Sequence, residues 1–471
     1  MIFSSLIFMF VYLPFVLGIY FLTPLRYRNF CLLIANLIFY GFGEPIYILI
    51  MIFSILVDYS HGILVEKYRS NDAQAKRYVL QSVFINLSML FFFKYYDFFI
   101  IILKSISPYF DFLEPIGIPL PIGISFYTFQ TMSYTIDIYR RDAKAQRNII
   151  DFGVYVTLFP QLIAGPIVKY KDISSQLTKR RTTLKQVSSG IELFVYGLFK
   201  KVLLANNIGL LWDTYKGMPS TDLSIVGSWL GIIAFAFQIY FDFSGYSDMA
   251  RGLGRMLGFE FLENFNYPYI AKSASDFWRR WHISLSSWFR DYVYIPLGGN
   301  QVSVICTYRN ILIVWLATGL WHGASWNFII WGLYYAIVLI LEKAFLLKHL
   351  QRLPGFISHL YAIIIILIGW CIFAVEGSMN LLASYMLRLF GYHAPSLYNS
   401  DDLYYLTSYG VVLALCLLFA IPFHKHKELR RFHISPVFLS IIKNLGIAFV
   451  LLLSTAYLVD ASYNPFLYFR F

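Results

Sequence analysis

Apolar runs of about 20 residues recur along the chain, each long enough for a helix to cross a hydrocarbon layer about 30 Å thick. They lie near 2–22, 46–65, 78–103, 190–211, 225–243, 356–375, 405–423 and 438–459. The strict alternation of a membrane barrel is absent, so helices are the expected spanning units. Polar, basic stretches separate the runs: Arg26 and Arg28, then EKYRSNDAQAKR, RRDAKAQR and HKHKELRRFH. Lys and Arg favour cytoplasmic loops. Read that way, the N-terminus lies outside, the first run is a retained span, and the chain makes about ten crossings.

Two runs do not fit simple crossings. Asp151–Pro166 is apolar but broken by Pro160 and Gly165-Pro166, with basic flanks on both sides. A re-entrant segment satisfies both flanks, because broken backbone is tolerated in a membrane only when buried in protein or lining a cavity. The stretch 310–341 is longer than one span needs and also has basic residues at both ends. A broken or hairpin-like pair of half-helices is expected there, with the break between Thr318 and Ala324. The segment 121–139 is too polar to face lipid and should face protein. From Asn266 to Arg309 no run is long enough to cross, which predicts interfacial helices and loops on the inner side.

Composition supports this reading. Of 471 residues, 58% are hydrophobic, 14% charged and 20% aromatic, and mean hydropathy is +0.61. A soluble domain carries about 25% charged residues. The net charge of +12 would suggest nucleic acid in a soluble protein, but here it belongs to cytoplasmic loops and anionic lipid. No nucleic-acid partner is expected. The four cysteines are scattered without metal or redox spacing, and neither a metal site nor a tightly bound cofactor is expected.

Chemistry concentrates between Asp276 and Tyr335, in DFWRRWHISLSSWFRDYVYIPLGGN and ATGLWHGASWNFIIWGLYY. His322 lies in a segment otherwise apolar enough for lipid, and an ionisable group at that depth is a functional candidate. It reads as a general base or as a packed histidine bonded to a neighbouring carbonyl. On a continuous helix, Trp278, His282, Leu285 and Phe289 would share a face while Arg279, Arg280 and Arg290 point elsewhere. His282 reads as an interfacial anchor or as a second imidazole donating to an oxyanion. The basic residues Lys200, Lys201, Lys272, Arg279, Arg280, Arg290 and Arg309 follow the positive-inside bias, or some of them bind the phosphates of an acyl donor. Asp58 and Asp137 read as structural, Asp248 and Arg251 as a helical pair, and His424 and His426 as solvated.

Six stretches resemble the membrane-bound O-acyltransferases, in particular the bacterial branch acting on alginate and other exopolysaccharides. They are PIGISFYTFQTMSYTIDIYR, FPQLIAGPIVKY, YFDFSGYSDMARGLGRMLGF, the run Asn264–Asn300, TGLWHGASWNFIIWGLYY and the tail YNPFLYFRF. They cover essentially the whole chain in family order. The resemblance implies an all-α integral membrane protein of about ten transmembrane helices plus broken ones, ringed around a central tunnel. It implies one transmembrane domain over 1–471, with a core at about 121–341, in a bacterial cytoplasmic membrane. His322 and His282 would be the catalytic histidines, and Arg279, Arg280, Lys272 and Arg290 the ligands of the donor phosphates. The donor would be acetyl-CoA, and the acetyl group would pass outward to a secreted SGNH-type acetyltransferase and so to the polysaccharide. The alternatives are D-alanyl transfer to teichoic acid and, in another class, a polysaccharide transporter subunit.

Overall fold

A computed structural model describes residues 1–163, 165–219, 221–422, 435–460, 464 and 467. The basic loop with His424 and His426, and most of the tail YNPFLYFRF, lie outside the described residues. Every regular element among the described residues is helical. Six helices are long and apolar enough to cross a membrane, and eight spans result if each of two bent pairs counts as one. The expected ten counts 2–22, Phe30–Phe42, 121–139 and 190–211, which do not qualify, and leaves out Val304–His322 and Trp326–Leu350, which do; the helices Ile124–Arg140 and Arg28–Gly43 have 17 and 16 residues. Those are more polar or shorter than a lone span in lipid.

The chain forms two compact units, Met1–Phe194 with Ser247–Leu262, and Val195–Tyr246 with Glu263–Phe471. In the first, helix Ile124–Arg140 is buried along most of its length, including Ser125, Thr128, Gln130, Thr131, Ser133 and Thr135. Its polarity therefore meets protein, as expected. Asp58 is fully buried and accepts from Ser82 Oγ at 2.6 Å and from Asn86 Nδ2 at 2.9–3.0 Å, so its partners are neutral groups. Asp137 takes the Lys171 N–H. Asp248 and Arg251 pair at 3.2 Å. The run 78–103 bends by 66° between helices Asp72–Lys94 and Tyr96–Ile106.

The broken segment in the same unit is a nine-residue helix, Ile149–Thr157, followed by the short turn Phe159–Leu162. Residues Asp151 to Leu162 are all buried. Nine residues rise only about 14 Å, which is too short to cross. The backbone doubles back at Gly165, where a Cβ would come 2.7 Å from the Pro160 carbonyl oxygen.

The second unit carries the hairpin Val304–His322 and Trp326–Leu341. These are two full-length helices, not the half-helices expected. The first begins at Ser303, which caps the Cys306 N–H, and so takes in residues assigned above to the interfacial run. The second continues through a π turn, Glu342–Leu346, to Leu350. Lys201 is buried and pairs with Asp242 at 2.5 Å. That pairing removes it from the residues able to meet a donor phosphate.

Candidate active site

His322 is the last residue of its helix, and Gly323 and Ala324 lie outside helical geometry before Ser325 starts the next. The hairpin closes because glycines let the backbones touch. A Cβ on Gly332 would come 2.5 Å from the Trp315 carbonyl oxygen, and one on Gly319 would strike the Phe328 carbonyl. Gly323 leaves room for the Phe328 ring in the same way. The His322 ring, 3% exposed, stands perpendicular to Trp331 at 5.0 Å and to Phe373 at 5.2 Å. Phe373 comes from the helix Gly355–Ala374.

His282 sits where the predicted continuous helix breaks. Helix Ala274–Arg280 ends, Trp281 is extended, His282 takes φ +44°, and a new helix runs Ile283–Phe289. A non-glycine residue at positive φ costs on the order of 1 kcal/mol or more, and persists only where its surroundings hold it. Here the segment Asn264–Asn266 supplies the hold. The Asn264 carbonyl accepts the Ile283 N–H at 3.0 Å, and Asn266 N–H donates to the Arg280 carbonyl at 2.9 Å. These bonds replace helical ones, which corrects the single-helix expectation.

The same asparagine defines the imidazole. Asn264 Oδ1 accepts the Ser284 N–H at 3.1 Å, and a backbone N–H can only donate, so the amide orientation is fixed. His282 Nδ1, 3.2 Å from that oxygen, must then be the donor. The basic nitrogen of the neutral ring is therefore Nε2. Phe243 packs perpendicular to the ring at 4.7 Å. Burial pushes the His282 pKa down to about 3, which keeps the ring neutral.

The helix before His282 is held from the spanning hairpin. Glu342, 1% exposed, accepts the Ala274 N–H at 2.7 Å, the Ser275 N–H at 2.8 Å and Ser275 Oγ at 2.6 Å. The two backbone N–H groups are otherwise unsatisfied donors of a helix N-terminus, and a carboxylate is favoured there. On the adjoining face, Trp278 stacks edge-on to Trp315 at 4.7 Å and to Tyr335 at 4.8 Å.

His282 and His322 line one cavity of about 280 Å³. Trp278, Leu285 and Phe289 line it too, as a shared face would have placed them, although the helix is broken. Arg279 and Arg290, expected to point elsewhere, are also on its wall. Arg279 is exposed, and no carboxylate pairs with it among the described residues. Arg290 is largely exposed and pairs with the neighbouring Asp291 at 2.8 Å. Arg280 turns away to Asp276 at 2.9 Å. Lys272 lines a different cavity. Asn264 and Glu342 were not anticipated. Asn264 falls inside a stretch that resembles the family, but no spacing ties residue 264 to 284 or residue 342 to 274.

Residues 124–385 match MBOAT, the membrane-bound O-acyltransferase family. The chain is 42% identical over 380 residues to the "Probable alginate O-acetylase AlgI" of Azotobacter vinelandii, covering 80% of this chain and 76% of that one. It is 38% identical over 490 residues to the protein of the same description from Pseudomonas putida, covering the full length of both. It is 34% identical over 415 residues to the "Peptidoglycan O-acetyltransferase" of Helicobacter pylori, covering 80% of this chain and 77% of that one. With a family match over more than half its length and relatives alike over most of it, the chain belongs to the membrane-bound O-acyltransferase family and is a multi-pass membrane acyltransferase.

Proposed function

We propose that this protein transfers an acetyl group from cytoplasmic acetyl-CoA, across the bacterial inner membrane, to a secreted SGNH-type acetyltransferase that O-acetylates an exopolysaccharide such as alginate. The observation that carries the reading is the single cavity bearing both histidines, with two arginines on its wall. A polyanionic thioester needs cations at the mouth and a base at the reacting carbon. Arg279 and Arg290 supply the first, meeting the donor phosphates. His322 supplies the second: it takes the proton of the accepting hydroxyl as that oxygen attacks the thioester carbonyl. The C–S bond then breaks, and the thiolate leaves with the proton returned by the imidazolium. In this reading His282 acts as an acceptor and not as an oxyanion donor. Its Nδ1–H is committed to Asn264, so its neutral Nε2 accepts a hydrogen bond and orients the attacking hydroxyl.

Purified protein in vesicles, given radiolabelled acetyl-CoA on one side and the secreted acetyltransferase on the other, tests this directly. Label should reach the acceptor, and His322→Gln, which keeps most of the side-chain volume, should lower the rate at least 100-fold while the protein stays folded. If wild-type protein leaves all label on CoA, the reading fails. If it transfers only from a D-alanyl-loaded carrier, the teichoic acid alternative replaces it.

A further inference from the structure

In the first unit, three helices bring buried oxygens to one point: Ser54 and Asp58 from Ile48–Lys67, Asn86 from Asp72–Lys94 and Thr131 from Ile124–Arg140. All four residues are fully buried. Helix Ile48–Lys67 is long and apolar enough to cross a membrane. Asp58 lies ten residues into it (58 − 48), about 15 Å along its axis, near the middle of a hydrocarbon layer about 30 Å thick. Its donors, Ser82 and Asn86, are neutral, and no lysine or arginine pairs with it among the described residues. His61, one turn on, directs Nδ1 to the Val57 carbonyl at 2.7 Å. A carboxylate cut off from water needs either a proton or a cation beside it.

The hydrogen bonds argue against the proton. Asn86 Nδ2 donates to the Ser82 carbonyl at 2.9 Å, which fixes the amide orientation. Asp58 therefore meets N–H and O–H donors on that side. The oxygen beside Oδ2 is Ser54 Oγ at 3.5 Å, too far to accept from a carboxylic acid, since O–H···O bonds span about 2.5–3.0 Å. The same amide orientation points Asn86 Oδ1 at Ser54 Oγ, 3.4 Å away, and at Thr131 Oγ1, 3.2 Å away. Thr131 faces the Asp58 carboxylate as well. Consecutive oxygens of this group thus stand 3.2–3.5 Å apart. Oxygens held at right angles around an ion at about 2.4 Å stand about 3.4 Å apart, whereas oxygens bridged by a water through bonds of about 2.8 Å stand about 4.6 Å apart. Magnesium would draw them in to about 3.0 Å. Calcium has the right size, but one aspartate leaves half its charge unmatched. A single negative charge calls for a singly charged ion of about calcium's size, which is sodium.

We propose that Asp58 Oδ2, Ser54 Oγ, Asn86 Oδ1 and Thr131 Oγ1 bind one sodium ion, which fastens these three helices together. The site shares no residue with the histidine cavity and does not depend on the acyl-transfer reading. Full-length protein in detergent, melted in sodium, potassium or choline chloride at equal ionic strength and titrated with radiolabelled sodium, tests it. Sodium should raise the melting temperature saturably above choline, potassium should stay close to choline, and one labelled ion should bind per chain. Asp58→Asn should abolish both effects. Ser54→Ala, which keeps the carboxylate and its donors, should weaken sodium binding about tenfold while melting as wild type does in choline. If Asp58→Asn does not fold, Ser54→Ala decides, and unchanged sodium affinity in that variant overturns the proposal. Equal melting in sodium and choline also overturns it, as does a sodium effect that potassium matches or that survives Asp58→Asn. So does a carboxylic acid C=O stretch in saturating sodium that disappears in Asp58→Asn, because it would place a proton where the ion should be.

Discussion

At residue scale, the two histidines are held by different forces. His322 is fixed by aromatic packing, whereas His282 is fixed by hydrogen bonds from a strained backbone position. Asn264 is thus a positioning residue for His282. Asn264→Ala should lower acetyl transfer at least tenfold, and Asn264→Asp, which keeps the acceptor oxygens, should recover part of the rate. Equal loss in both, measured as kcat in vesicles, would argue for a merely structural role. Burial also has a sign in pH. The folded His282 has a pKa near 3 against 6.5 when unfolded, so below pH 6.5 the unfolded chain binds the extra proton. Stability contributed by the neutral ring is present above pH 6.5 and is lost as pH falls toward 3. Between pH 7 and pH 5 the loss from this group is about 2 kcal/mol. His282→Gln should therefore show a smaller fall in melting temperature over that interval than wild type.

At the scale of elements, the hairpin and the capped interfacial helix are the parts that matter. Close backbone approach at Gly319 and Gly332 leaves no space for a side chain. Gly332→Ala pushes a methyl group into the Trp315 carbonyl and should cost about 1–3 kcal/mol, read as a lower melting temperature in detergent. Glu342 fastens the helix Ala274–Arg280 to the foot of this hairpin. Glu342→Ala leaves the buried Ala274 N–H and the half-buried Ser275 N–H without their acceptor. It should destabilise by about 2–3 kcal/mol and lower transfer further than stability alone explains, because Arg279 and the turn at His282 follow that helix.

At the scale of the molecule, charge is divided between holding the protein together and meeting ligands. The buried Lys201–Asp242 pair belongs to the first kind: Asp242 also accepts the Leu467 N–H at 2.9 Å, so three distant parts of the chain meet there. Lys201→Met alone should cost about 3–5 kcal/mol by stranding a carboxylate, and the double change Lys201→Met with Asp242→Leu should recover much of it. Unfolding midpoints of the two variants give the comparison. Under the proposed function, Arg279 on the cavity wall belongs to the second kind. Arg279→Glu should raise KM for acetyl-CoA about tenfold with little change in kcat, and more so at low salt.

The order of polar and apolar residues determined much of this protein by itself. Helical class, membrane residence, the buried polar helix 124–140, the break at Gly165 and the turn after His322 all follow from periodicity, proline, glycine and the cost of charge in lipid. These are local properties, or properties of a segment against its solvent. The stretch Asp276–Tyr335 stands out as the candidate place of chemistry for the same reason, and its family resemblance points to the two histidines. What tertiary structure decided was which side chains meet. Whether Arg279 or Arg280 faces the cavity depends on how the helix Ala274–Arg280 is seated, and Glu342 and Asn266 hold it from elsewhere in the chain. Lys201 and Lys272 look alike as members of a basic cluster; one finds Asp242 and the other an apolar cavity. A cation's partner is fixed by long-range packing, which pattern along the chain does not encode residue by residue.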